Sequence, residues 1–153
     1  MYFDQWKQHR KWALYLTLGL FLLSLTQPAF YIDRTDFDAW SSPIGLLLMG
    51  WLGILAGDSA CLAWIANPLL ILGVVSLFKF DRFAPILGIL ALGVSLTFLG
   101  QEQIISSEAP TYSKITKIKL GYWLWVSSIG AFTISSLYLS LTKPKNTQEE
   151  NFV

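Results

Sequence analysis

Few side chains in this sequence could do chemistry, and Asp58 is the sharpest of them. It is the one charged residue in the thirty-seven from Ser42 to Phe78. A carboxylate central to an apolar run costs about 2.5–3.5 kcal/mol on membrane-insertion scales, so such a residue marks an ion, proton or ligand pathway by default. Asp58 nevertheless sits at a break, between Gly57 and Ser59. Capping of the helix that follows, or placement at an interface, is the plainer reading. Asn67 is the second pathway candidate. An amide among apolar residues can hydrogen-bond across helices for ~0.6–2 kcal/mol, and this packing role outweighs a substrate contact. Its neighbour Pro68 removes a backbone donor, so a kink is expected there whose freed carbonyl neighbours must satisfy.

The other reactive types are scattered. Glu102 and Glu108 lie with Tyr112, Lys114, Lys117 and Lys119 in one polar stretch. Two carboxylates can act as acid and base, yet no spacing imposes that geometry, and a solvated connection is expected. Cys61 is the single cysteine and His9 the single histidine, so neither a disulfide nor a soft-ligand metal site is supported. No GxSxG, HExxH, P-loop or GxGxxG pattern occurs. No catalytic residue, metal or cofactor is assigned.

The elements that must position these residues are apolar. The chain is 54% hydrophobic and 14% charged, with a mean hydropathy of +0.50 in 153 residues. That balance suits one polytopic membrane domain. An all-α integral membrane fold with four transmembrane helices is expected, spanning about 12–30, 60–78, 84–100 and 120–141. About 20 apolar residues cross a bilayer, so the 43–78 run is too long for one span and short for two. Residues 43–57, opened by Ser42 and Pro43 as N-cap and first helical residue, have no polar face for lying on a membrane surface. They are therefore read as a short re-entrant helix before the second span. The first run follows Lys7, Arg10 and Lys11, and no A-x-A-like site follows it, so it reads as a span rather than a cleaved leader. Residues 31–42 form an acidic connection, 101–119 a polar outer loop, and 143–153 a disordered tail.

Small residues mark where helices could pack closely. Gly53 and Gly57 make a GxxxG pair, and Ser127, Ala131 and Ser135 form a ridge at four-residue spacing. Trp12, Trp40, Trp123 and Trp125 fall near predicted helix ends, as interfacial anchors do. With four spans and a cytoplasmic N-terminus, the inner side collects seven basic residues (Lys7, Arg10, Lys11, Lys79, Arg82, Lys143, Lys145). The outer side collects four (Arg34, Lys114, Lys117, Lys119). A double crossing of 43–78 gives six against five, so four spans with both termini inside are favoured.

These features point to a bacterial inner-membrane, multi-pass protein whose partners are the lipid bilayer and either its own copies or another membrane protein. Eleven basic against ten acidic residues give no field for nucleic acid. A non-catalytic subunit of a membrane complex is the preferred expectation. An oligomeric pore, for instance a bacterial effector that depolarises the cell in antiphage defence, is the alternative, with Asp58 and Asn67 on its pathway. An intramembrane or lipid-modifying enzyme is the third. Spans three and four offer only a thin polar stripe (Ser95, Thr97, Thr133 and serines), which weakens the pore unless it gates by dewetting.

Overall fold

The computed structural model describes residues 2–33, 42–79, 82–105 and 111–143. The described residues are mostly helical, with five α-helices among them. The first, α1 (Tyr2–Ser24), begins ten residues before the expected span and ends earlier. Its start lies in polar sequence because hydropathy marks only what a bilayer could cover, not how far the helix runs. Its end has a local cause. The hydroxyls of Ser24 and Thr26 donate back to the carbonyls of Phe21 (2.6 Å) and Leu23 (2.8 Å). Amides 25–27 tighten to i−3 bonds, and Pro28 then holds the preceding residue away from helical geometry.

Phe30, expected to end the first span, and residues 31–32, expected in the acidic connection, form strand β1 (Phe30–Ile32). Two further strands, β2 (Gln103–Ile105) and β3 (Tyr112–Ile118), lie where a polar loop was expected. They form an antiparallel sheet in the order β1-β3-β2. The all-α expectation is corrected accordingly. A bulge explains why the sequence concealed β3. Tyr31 pairs with Lys117 but Ile32 with Ile115, leaving Thr116 as the extra residue. Ile115 and Ile118 are both half-buried although three apart, which breaks the period-two signature of a strand.

Helix α2 (Pro43–Leu55) starts behind Ser42 with Pro43 in its first turn, though the Ser42 hydroxyl makes no cap bond. Its end is a Schellman turn. Gly57 takes φ +81°, its N–H donates to Ile54 O (3.0 Å), and the Asp58 N–H donates to Gly53 O (2.9 Å). A 3-10 turn, Ala60–Ile65, then feeds α3 (Ala66–Lys79). Helix α4 (Ala84–Leu96) follows with Pro85 in its first turn and a 3-10 extension to Gly100, and α5 (Leu120–Leu141) closes the fold.

Helix α5 lies between α1 and α4, and α3 packs on α4. Phe132 is the central wedge: a Cβ on Gly73 would lie 2.7 Å from its ring, and one on Gly88 would lie 2.8 Å from Thr133 Oγ1. Ala84, Gly88, Ala91 and Ser95 give α4 a buried face of small residues. At one end of the bundle Arg10 stacks 5.2 Å from the Trp6 ring and 4.9 Å from the Phe78 ring, and Trp6 Nε1 donates to Leu139 O (3.1 Å). The sheet covers the opposite end.

Two helical stretches, Ala60–Lys79 and Leu120–Leu141, are long and apolar enough to cross a membrane; Pro43–Leu55 and Ala84–Gly100 are apolar but shorter. Large apolar side chains point outward from every helix, among them Leu16, Leu48, Ile71, Ile89 and Ile134.

Candidate functional site

The Schellman turn after α2 carries Asp58 inward, beneath the end of β2, where it is 3% exposed. Its oxygens serve three partners. Oδ1 accepts from the Ala60 amide (2.9 Å), and Oδ2 accepts from the Ile105 amide (2.8 Å) and the Cys61 thiol (3.5 Å). The first bond closes a tight turn leading into the 3-10 segment, and the second reaches forty-seven residues along the chain to pin the sheet. Ser59 Oγ adds a bond to Gln101 Oε1 (2.8 Å). Asp58 thus works as a clasp between the α2 turn and the sheet, with its acceptors engaged by the protein itself.

Asn67 lies one helical stretch deeper and is 8% exposed. Trp125 Nε1 donates to its Oδ1 (2.9 Å). Because an indole nitrogen can only donate, this bond sets the orientation of the amide, with oxygen toward Trp125 and NH₂ away from it. Pro68, next on α3, is half-buried. Asn67 and Trp125 form part of the wall of a cavity of ≈ 110 Å³. Aromatic rings dominate this wall. Phe30 and Phe98 are 5.2 Å apart, Phe98 and Tyr122 5.5 Å, and Tyr122 and Trp125 5.9 Å between centroids. Gly50 and Trp64 complete the α2 side, where a Cβ on Gly50 would sit 2.5 Å from the indole and Trp64 Nε1 donates to Leu47 O (2.9 Å). No charged side chain among the described residues lines the cavity.

The remaining candidates divide. Gly53 packs on Cys61, whereas Gly57 is an exposed turn glycine, so the two do not form one helix-packing face. Ser127 is exposed and Ala131 and Ser135 are half-buried; the ridge that α5 buries lies one residue on, at Ser128, Phe132 and Ser136. Trp12 and Trp123 are exposed, as anchors would be, but Trp125 turns inward to Asn67. Trp40, Glu108 and the 144–153 tail lie outside the described residues. Glu102 and Tyr112 border a shallow polar recess above the Gly57–Ser59 turn. No group of three or more metal-ligating side chains occurs among the described residues.

Sequence reasoning missed three features. The Tyr122 hydroxyl donates to Ser95 O (3.0 Å), tying α5 to α4. Gly121 lets α5 start directly against the carbonyls of Gln27 and Pro28. Thr17 Oγ1, on the buried face of α1, has no hydrogen-bond partner among the described residues. A signal for the second existed, since Gly121 stands between a polar stretch and an uncharged run of helix formers. No family model, curated protein or solved structure matches the chain.

Proposed function

We propose that this chain is a small multi-pass membrane protein acting as a non-catalytic subunit, assembling with its own copies or with a partner membrane protein. The observation that carries the reading is the distribution of polarity. Every helix turns large apolar side chains outward, while Asp58, Asn67, Ser95 and Tyr122 close on partners inside the chain. A lipid solvent requires such an arrangement, because polar groups must be satisfied internally. In this reading α1, Ala60–Lys79, Ala84–Gly100 and α5 are the four spans. Helix α2 is re-entrant, entering at Pro43 and returning to the sheet side at Asp58. Lys7, Arg10, Lys11, Lys79, Arg82 and Lys143 gather at one end and Lys114, Lys117 and Lys119 at the other, which favours cytoplasmic termini in a bacterial inner membrane. The Ser127–Ala131–Ser135 strip, exposed at Ser127 and half-buried at Ala131 and Ser135, is small enough for another helix to approach closely.

A pore through Asp58 draws less from the geometry, since its acceptors already hold two backbone amides and a thiol. The test is native mass spectrometry of the chain in lipid nanodiscs, after carbonate extraction and liposome flotation establish insertion. A defined oligomer or a stoichiometric complex is expected. A monomer that captures no membrane protein from solubilised membranes would sink the subunit reading.

A further inference from the structure

The Asn67 cavity has a chemistry of its own. Asn67 spends Oδ1 on Trp125, and its NH₂ makes no hydrogen bond with any described residue. That group is also not among the sealed, unpartnered polar atoms, so it keeps contact with open space. For a residue 8% exposed in the cavity wall, that space is the cavity. A ligand there therefore meets a donor. It meets no charge among the described residues, whose part of the wall has no Lys, Arg, Asp or Glu, and Ser24, also in the wall, donates its proton to Phe21 O. The rest of the wall is aromatic rings, leucines, an isoleucine and small apolar residues, and an ionised group would lose its hydration there without compensation.

Size narrows the class further. An engineered apolar cavity of ~150 Å³ takes benzene, so ≈ 110 Å³ holds no more than a single flat ring or a four- to five-carbon stretch of chain. The cavity is also half-open, so a longer molecule can enter by one end.

We propose that this cavity binds the carbonyl-bearing end of a neutral membrane lipid, with Asn67 Nδ2 donating to the carbonyl and the Phe30–Phe98–Tyr122 rings packing its apolar frame. The same chemistry is offered by an ester carbonyl of a zwitterionic phospholipid, its phosphate left outside the opening, and by the head of a prenylated quinone. The site depends on the bilayer placement argued above, which flotation and carbonate extraction test independently.

The experiment is native mass spectrometry of the full chain in detergent, titrated separately with a short-chain phosphatidylcholine and with a short-prenyl benzoquinone. One of them is expected to give a saturable one-to-one adduct, and the one that does identifies the source. Ala29→Leu, which fills the cavity wall without deleting a hydrogen bond, should weaken that adduct at least tenfold. Asn67→Leu should weaken it about five- to tenfold, the worth of one neutral hydrogen bond. Asn67→Leu also strands the Trp125 donor, so Ala29→Leu decides the matter if Asn67→Leu does not fold. Failure of both ligands to bind a chain that floats with liposomes overturns the proposal and leaves the membrane reading standing. An adduct indifferent to Ala29→Leu overturns it as well, placing the lipid on the outer surface.

Discussion

The bundle from Phe132 toward Leu77 and Leu139 and the sheet-covered end opposite are held together by different physics. Around Phe132 the helices meet through shape: Gly73 and Gly88 leave notches, Ala84 and Ala91 lie flat, and a ring fills the gap. At the sheet-covered end they meet through directed polar bonds, with Asp58 spanning from the α2 turn to β2 and Tyr122 from α5 to α4. Dispersion contacts are individually small and spread over many atoms, so they degrade gradually. A buried acceptor with several donors is concentrated, and its loss strands every donor at once. The first mode suits a segment that lipid surrounds; the second suits a place where strands, turns and broken helices expose backbone groups that need partners.

Substitutions can break or sharpen this contrast. Gly121→Ala should do the most damage, because the added Cβ collides with the backbone carbonyl of Gln27 rather than with a movable side chain. A cost of about 3 kcal/mol or more is expected, with little folded protein recovered on size-exclusion chromatography. Asp58→Ala comes next. It leaves the Ala60 and Ile105 amides without acceptors, at ~1–3 kcal/mol each. The damage should be local: hydrogen exchange should rise at Ile105 while the amides around Phe132 stay protected, and the buried Cys61 thiol should label faster with maleimide. Uniform loss of protection instead would show that the two ends unfold as one unit.

Gly88→Ala tests the shape-based end. The new methyl presses on Thr133 Cα at 3.1 Å, and a loss of about 1–3 kcal/mol is expected. Its exchange signature should be the mirror of the Asp58 variant, centred on α4 and α5. The smallest effect, and one of opposite sign, belongs to Thr17→Val, which replaces a buried, unpartnered hydroxyl by an isosteric methyl. A gain of roughly 1 kcal/mol is expected, visible as a higher midpoint in thermal labelling of Cys61. No gain would mean that Thr17 Oγ1 finds a carbonyl on its own helix.

Legibility in the sequence followed the type of interaction. Helices α3 to α5 could be placed from apolar runs, and the limits of α5 were expected at 120–141, where the structure has Leu120–Leu141. Pro43 behind Ser42 announced α2, and Gly57 announced its break. The sheet could not be read in the same way. Its strands are three to seven residues long, β3 is studded with lysines, and the bulge at Thr116 puts Ile115 and Ile118 on one side out of phase. Which serine of α5 the bundle buries was not legible either, because Ser127 and Ser128 are equally good by type. Only the neighbour decides which of them turns inward.

Composition and the order of apolar runs were sufficient to place the helices that are long and apolar enough to cross a membrane, because transfer of side chains from water is a property of each residue and adds along a segment. The break at Gly57–Asp58 was likewise local, since a left-handed backbone position asks for glycine wherever it occurs. Tertiary structure alone decided the partners. That Asp58 holds Ile105 rather than an ion, and that Trp125 faces Asn67 rather than lipid, depends on residues forty-seven and fifty-eight positions apart meeting in space. Hydrogen bonds are directional and pairwise, so a sequence read along its length names the donors and acceptors without saying which ones meet.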